Sequence, residues 1–297
     1  MQNDENNAEV ILTLDIGGTF IKSAVFCGGS VRRLPPVLSR SDAGKREIAE
    51  AIRDAIGQVK EFTRLAAAIP GPFDFERGIF RMTHKFVAVN GCSFEELSGY
   101  SATFLHDANA FLLGELTHGA ARGFQRCGGI TLGTGLGAAF SVNGDLLTGA
   151  DGSPAPEVKL WNRPFRTGIA EDHISARALL SRFPAESVKA IAEAAKNGNA
   201  DAQKVWLDYG SALYELLFEW RNQLAPEVIV IGGQIARDMS LFGAIPAGLP
   251  LRVSKLGEDA VRRIRICPLQ GGSCREGFRT VEPYRRDGIE KRQTASG

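Results

Sequence analysis

Two short glycine-rich segments carry groups that suit phosphate chemistry. In the first, "LDIGGTFIK", Asp15 closes an apolar run and is followed by Gly17, Gly18 and Thr19. Backbone amides and a hydroxyl in a tight turn can form a nest for phosphate oxygens, and a neighbouring carboxylate is a ligand that Mg²⁺ accepts, directly or through water. An ordinary hairpin turn explains the same residues equally well.

The two most familiar nucleotide loops do not fit this segment. A P-loop needs G-x-x-x-x-G-K-[ST] and a dinucleotide-binding loop needs G-x-G-x-x-G, and each of them opens a helix. The residues after the turn, 20–26, are apolar, aromatic and β-branched, which predicts a second strand. The sequence therefore predicts a hairpin.

The second segment, "LGTGLGAAF", repeats this pattern with Gly133, Thr134, Gly135 and Gly137. Residues 10–31 and 129–149 thus resemble two copies of one strand–turn–strand unit. Two such turns in related halves can hold a polyphosphate from both sides.

A third glycine pair, Gly232 and Gly233, follows the apolar run of "PEVIVIGG". Bare backbone there permits the close approach of a flat group such as adenine. A pair of glycines that caps a helix is the alternative interpretation.

Asp107, in "FLHDANAFLLGE", is the candidate for proton transfer. It lies where a predicted strand gives way to a predicted helix, and negative charge is favoured at a helix N-terminus. During phosphoryl transfer to an alcohol, a carboxylate in such a place can accept or orient the hydroxyl proton. A plain helix N-cap is the alternative.

The elements that must position these groups alternate between strands and helices. Apolar spacing predicts helices over 45–64, 175–180, 186–196 and 201–224, and from about Gln234. Strands mixed with helices in two related halves predict an α/β protein of two lobes with a cleft between them.

Composition limits the class of partner. The 297 residues carry a net charge of +1, with 44% hydrophobic and 23% charged residues, which gives no indication of nucleic-acid binding. The apolar runs are too short for a membrane span, and the polar start is unlike a signal peptide. Five cysteines without metal-type spacing indicate free thiols and a cytoplasmic location.

Five segments in a fixed order resemble the ROK family, which includes glucokinase-like bacterial sugar kinases and repressors: "LDIGGTFIK", "IPGPFDFERG", "HDANAFLLGE", "LGTGLGAAF" and "PEVIVIGG". The resemblance implies a two-lobed actin-like, hexokinase-type ATPase fold with duplicated ribonuclease H-like domains. It implies lobes at 9–107 and 108–282, and 283–297 is expected to be a polar, mobile tail. It also implies a homodimer that binds ATP, Mg²⁺ and a sugar.

The resemblance implies roles for individual residues. Asp107 matches the catalytic aspartate, and Asp15 the magnesium site. The phosphate and adenosine of ATP would be held by Gly17, Gly18, Thr19, Lys22, Gly133, Thr134, Gly135, Gly137, Gly232 and Gly233. The sugar would be held by Gly71, Asn90, His106, Asp107, Glu157 and Glu171.

The sugar pocket departs from the family pattern. His106 replaces the usual Asn, Lys159 and Leu160 replace Gly and His after Glu157, and the cysteine-rich zinc loop is absent. We therefore expect no structural zinc, a structural or solvent-facing role for His173, and packing by Trp161 and Phe165 in place of the metal.

The expected function is transfer of the γ-phosphoryl group of ATP to a hexose or N-acylhexosamine, at the 6-hydroxyl. The altered pocket leaves open a non-catalytic sugar-binding sensor, and a kinase-like ATPase that acts on a non-sugar.

Overall fold

The chain has mixed α/β architecture in a computed structural model that describes residues 9–28, 30–257 and 259–262. The strands are β1 (Val10–Ile16), β2 (Phe20–Cys27), β3 (Ser30–Arg33), β4 (Val37–Leu38), β5 (Arg64–Ile69), β6 (Phe73–Asp74), β7 (Ile79–Phe80), β8 (Thr103–His106), β9 (Arg126–Leu132), β10 (Leu136–Val142), β11 (Asp145–Leu146), β12 (Pro164–Phe165), β13 (Gly168–Ile169), β14 (Val228–Gly232) and β15 (Leu251–Val253). The α-helices are α1 (Lys45–Gly57), α2 (Phe94–Ser98), α3 (Asp107–His118), α4 (Ala170–His173), α5 (Ala176–Leu180), α6 (Val188–Lys196), α7 (Ala200–Leu224) and α8 (Asp259–Arg262). Short 3₁₀ helices cover Val87–Val89 and Ile235–Leu241.

The described residues divide into two compact units. The first comprises 9–67 and 78–103, and the second comprises 68–77 and the described part of 104–265. The lobes expected at 9–107 and 108–282 stay a prediction, and the expected tail at 283–297 lies outside the described residues.

The first sheet has the strand order β3-β2-β1-β5-β8, and β4 also pairs with β2. Strands β1 and β2 are antiparallel, with Val10 opposite Cys27 and Ile16 opposite Ile21. The predicted hairpin across the first glycine turn is therefore confirmed.

The second sheet has the strand order β11-β10-β9-β14-β15. Strands β9 and β10 form an antiparallel hairpin with Leu132 opposite Leu136, while β14 runs parallel to β9 and β15. The second predicted hairpin is thus confirmed, and both hairpins lie beside the centre of a sheet.

Local sequence explains several helix ends. Ser93 accepts a hydrogen bond from the Glu96 amide at 3.0 Å and caps α2, as a Ser three residues before Glu predicts. Asn199 caps the long helix α7 by accepting from the Ala202 amide at 2.9 Å.

Two helix predictions need correction. The helix expected over 45–64 ends at Gly57, since glycine lacks helix propensity and the polar residues that follow have little apolar surface to bury. The helix expected from about Gln234 is a 3₁₀ helix with a kink at Asp238 (φ −105°, ψ 23°).

The second unit contains a large apolar core against one face of β9 and β10. Its largest members are Trp206, Trp220 and Tyr209, and Phe140 is fully buried with them. Trp220 packs edge-on to Phe140 with ring centroids 5.6 Å apart. This core gives the second hairpin and its neighbours a rigid support.

Candidate active site

The first glycine turn lies in the first unit and has an exposed tip. The Gly17 amide donates to the Phe20 carbonyl at 3.0 Å, which closes the turn. Ser39 supports it from behind: its amide donates to the Thr19 carbonyl at 3.0 Å and its hydroxyl to the Gly18 carbonyl at 2.6 Å. Gly18 and Thr19 are exposed, so this turn is accessible to a ligand.

Asp15 and Lys22 lie directly opposite each other across the first hairpin. Residues paired in this way project on the same face of the sheet. The two charges flank the turn, and both residues are half-buried. The structure thus brings together these two predicted ligand-binding residues.

The second glycine turn, in the second unit, is covered by a carboxylate. The Leu136 amide donates to Glu171 Oε2 at 3.0 Å, and a Cβ on Gly135 would lie 2.6 Å from that oxygen. The Ala176 amide donates to the Gly133 carbonyl at 2.9 Å. Residues 170–176 therefore support this turn, and the predicted sugar ligand Glu171 lies on the predicted phosphate turn.

Asp107 is the first residue of α3, as expected, while His106 occupies the N-cap. Asp107 Oδ1 accepts from the Ala108 amide at 2.8 Å, and 40% of its side chain is exposed. A Cβ on Gly137 would approach Ala108 Cβ to 3.3 Å. The start of β10 thus packs against the first turn of α3, which places Asp107 beside the second glycine turn.

His106 lies between Asp107 and residues 68–77. Its Nδ1 is 3.0 Å from Asp107 Oδ1, and a Cβ on Gly71 would lie 3.6 Å from its Nε2. The ring of Phe75 lies 5.8 Å from the imidazole, centroid to centroid. Two predicted sugar ligands, Gly71 and His106, therefore lie next to each other, and His106 contacts Asp107.

Other predicted sugar residues are not joined to this cluster by any contact seen among the described residues. Asn90 is exposed and belongs to the first unit. Glu157 is exposed, and its backbone carbonyl accepts from Arg163 Nη2 at 3.2 Å. Leu160 is fully buried in the core of the second unit. Its side chain packs in the protein interior and offers nothing to a ligand.

Sequence reasoning missed two residues next to the cluster. Asn109 is fully buried, and its Nδ2 donates to the Gly152 carbonyl at 3.4 Å. A Cβ on Gly152 would lie 2.9 Å from Phe75 Cβ. An Asn two residues after a candidate base, on a buried helix face, was the available signal for a supporting role.

The loop at Gly152 is itself ordered by Asp151. Asp151 Oδ1 accepts from the Ser153 hydroxyl at 2.7 Å and the Ser153 amide at 3.1 Å. The hydrogen bond from the Ser153 hydroxyl, and to a lesser degree the one from the Ser153 amide, hold the pKa of the Asp151 carboxyl below its usual value.

The glycine pair after β14 has a packing explanation. A Cβ on Gly232 would overlap the Phe111 ring, and Gly233 has a φ of +91° and lies against the Leu132 backbone. Glycine is needed there for the approach of β14 to α3 and β9. The adenosine role of the pair stays a prediction.

An aromatic ring packs in the segment that replaces the family's zinc loop. Phe165 is buried and lies edge-on to His173 with centroids 5.6 Å apart, whereas Trp161 is 46% exposed, so only Phe165 packs as expected. Burial, and then the charges of Arg182 and Arg166, lower the pKa of His173. Among the described residues no group of three or more His, Cys, Asp or Glu side chains is placed to hold a metal ion.

Comparison with known proteins identifies the family. The model of the ROK family matches residues 11–159, half of the chain. The chain belongs to the ROK family.

Two curated proteins that this chain resembles are sugar kinases. The chain is 28% identical over 270 residues to a glucokinase of Thermotoga maritima, which covers 79% of this chain and 85% of the relative. It is 26% identical over 271 residues to an N-acetyl-D-glucosamine kinase of Haemophilus influenzae, covering 80% and 88%.

The fold is shared with solved ROK structures. A ROK family glucokinase from Streptomyces griseus, solved in complex with glucose and AMPPNP, superposes with a TM-score of 0.70 at 20% identity, covering 85% of this chain and 96% of that one. The chain thus has the actin-like ATPase fold. Among its described helices, none combines the length and the hydrophobicity needed to cross a bilayer.

Proposed function

We propose that this protein is an ATP-dependent sugar kinase that transfers the γ-phosphoryl group of ATP to the 6-hydroxyl of a hexose or N-acylhexosamine. The observation that carries the proposal is one chain of contacts within the second unit. It runs from Gly71 through His106 to Asp107, and from Ala108 through Gly137 to the glycine turn that Glu171 covers. The similarity to glucokinases and to an N-acetyl-D-glucosamine kinase supports the same reaction class.

Asp107 is the proposed base. Its carboxylate lies at a helix N-terminus, where the negative charge is stabilised, and its partial exposure leaves it accessible to a substrate. As the sugar oxygen bonds to the γ-phosphorus, the bond from that phosphorus to the β-phosphate oxygen breaks and ADP leaves. Asp107 accepts the proton that the hydroxyl loses.

The glycine turns are proposed to hold the phosphates. Within the described residues, the amides of Thr134 and Gly135 and the Thr134 hydroxyl make no hydrogen bond, so they can donate to phosphate oxygens. The Gly133 and Leu136 amides already have acceptors. In the first unit, the exposed turn at Gly18 and Thr19 offers a similar surface.

Mg²⁺ fits the donor set beside the first turn. Asp15 supplies a half-buried carboxylate, and Mg²⁺ in nucleotide sites is held by one or two carboxylates together with substrate phosphates. When bound, the ion neutralises charge on the phosphates. Lys22, opposite Asp15 in the hairpin, adds a second positive charge.

Glu171 and His106 are proposed to bind the sugar. The Glu171 carboxylate is fixed by the Leu136 amide, and its Oε1 lies 3.6 Å from Arg177 Nη2. A carboxylate held in this way can accept hydrogen bonds from hydroxyls without losing its orientation. Sugar contacts by Asn90 and Glu157, a homodimer and a cytoplasmic location stay predictions.

A substrate panel tests the proposal. Hexoses, amino sugars and N-acylated amino sugars are offered with ATP and MgCl₂, and ADP release is measured with and without each sugar. We expect sugar-dependent ADP release with one class. Thermal stabilisation by a sugar without turnover across the whole panel would instead identify a sugar sensor.

A further inference from the structure

The imidazole of His106 contacts polar groups at Nδ1. Nδ1 lies 3.0 Å from Asp107 Oδ1 and 3.2 Å from the Ala108 nitrogen. Nε2 lies on the opposite edge of the ring, toward Gly71. Only 17% of the side chain is exposed. The ring is therefore held in one orientation beside the proposed base.

The contact with Asp107 determines which nitrogen carries the proton. A carboxylate oxygen can only accept, so an unprotonated Nδ1 would set two lone pairs against each other at 3.0 Å. A proton on Nδ1 converts that contact into a hydrogen bond to Oδ1. The Ala108 amide lies within hydrogen-bond distance of both Asp107 Oδ1, at 2.8 Å, and His106 Nδ1, at 3.2 Å. With Nδ1 protonated, it donates to the nearer atom, Oδ1.

We propose that His106 is a positioning residue for Asp107. Its Nδ1–H and the Ala108 amide together fix the carboxylate through Oδ1, and in the neutral ring Nε2 remains a hydrogen-bond acceptor on the side of Gly71. The importance of this for turnover rests on the proposed kinase function. Nε2 can then accept a hydrogen bond from a sugar hydroxyl.

Two substitutions separate the roles of the nitrogens. The amide of His106→Asn occupies the place of Nδ1 and can still donate to Asp107, whereas that of His106→Gln occupies the place of Nε2 and cannot. We expect the Gln variant to lose about 10- to 100-fold in kcat, because a misplaced base reacts poorly. The Asn variant should lose less in kcat, but its sugar KM should rise because it lacks the acceptor at Nε2. His118→Asn, at the exposed opposite end of α3, is the matched control. A Gln variant with a kcat equal to or above that of the Asn variant overturns the proposal.

A second measurement does not depend on turnover. Nitrogen-15 NMR of the histidine rings, at alkaline pH and with His106 assigned by its loss in His106→Asn, reports which nitrogen is protonated. We expect a proton on Nδ1 in the wild type. An Nε2–H ring with a bare Nδ1 contradicts the proposal even if the kinase is active, and an Nδ1–H ring upholds it even if the substrate panel finds no turnover.

Discussion

The two glycine hairpins share a strand–turn–strand arrangement but differ in the length of the turn and in what supports it. Both join strands of seven or eight residues. The first turn is supported by Ser39, whose neutral hydroxyl and backbone amide each donate to a carbonyl oxygen of the turn. The second is supported by Glu171, an anion that binds an amide. A duplicated element has thus acquired two different electrostatic environments.

This difference suggests a division of labour. The first turn has an exposed tip, and within the part of the chain that the structure describes no carboxylate accepts from its amides, which suits phosphate. In the second turn one amide donates to Glu171, and the turn lies beside Asp107. In the proposed kinase this turn would therefore couple phosphate binding to sugar binding within one unit. The substitutions below test whether the supports differ in this way.

The largest effect is expected at Glu171. Glu171→Ala leaves the Leu136 amide without its acceptor and should reduce the free energy of unfolding by about 1–3 kcal/mol. Glu171→Gln restores an acceptor and hence stability, but it removes the charged acceptor for sugar hydroxyls and should raise the sugar KM about 10- to 100-fold. Thermal melting and steady-state kinetics check both values, and a Gln variant with the wild-type sugar KM would confine Glu171 to a supporting role.

The same Gly→Ala change should have unequal effects in the two turns. At Gly135 the new Cβ would lie 2.6 Å from Glu171 Oε2, and displacing that carboxylate should cost about 1–2 kcal/mol and lower Tm by about 2–4 °C. At Gly18 the nearest atom is Lys85 Cδ at 3.7 Å, an ordinary contact, so we expect less than about 0.5 kcal/mol. Equal Tm shifts in the two variants would show that Glu171 does not distinguish the turns.

Removal of the neutral support should cost less. Ser39→Ala deletes the hydroxyl that donates to the Gly18 carbonyl at 2.6 Å, while the backbone bond to Thr19 remains. Because Gly18 is exposed and water can replace the hydroxyl, we expect a loss of about 0.5–1 kcal/mol in the free energy of unfolding. Ser30→Ala at an exposed strand position is the control. If Ser39→Ala lost as much free energy of unfolding as Glu171→Ala, the two supports would not differ in strength.

Acid should weaken the support of the second turn, because His173 belongs to the segment 170–176 that carries it. The effect should be modest, since His173 is partly exposed. Its pKa is lowered in the fold, chiefly by burial, so the unfolded chain binds the proton more readily. The stability that the neutral His173 ring contributes is therefore lost as the pH falls through 6.5, the ordinary pKa of histidine. The drop in Tm from about pH 8 to about pH 5.5 should be smaller in His173→Gln than in the wild type. The same drop in both proteins, with His84→Gln as the exposed control, would contradict the assignment.

Local signals in the sequence predicted the frame of the site but not its contacts. The hairpins followed from glycines between β-branched runs, and the start of α3 at Asp107 followed from a strand that gives way to a helical period. The Glu171–Leu136 bond joins residues 35 positions apart, and no local pattern specifies such a pairing. Leu160 was considered as a change in a ligand pocket, whereas packing against the core decided its position.

The most direct test of the account is Asp107→Asn, assayed with ATP, MgCl₂ and the sugar that the substrate panel identifies. The change preserves shape but removes the proton acceptor, so kcat for sugar phosphorylation should fall about 10²- to 10⁴-fold while Tm and sugar KM stay close to wild type. Asp201→Asn, in the first turn of α7 and exposed, controls for loss of a helix N-terminal charge. An Asp107→Asn variant that phosphorylates the sugar at the wild-type rate would contradict the assignment of Asp107 as the base.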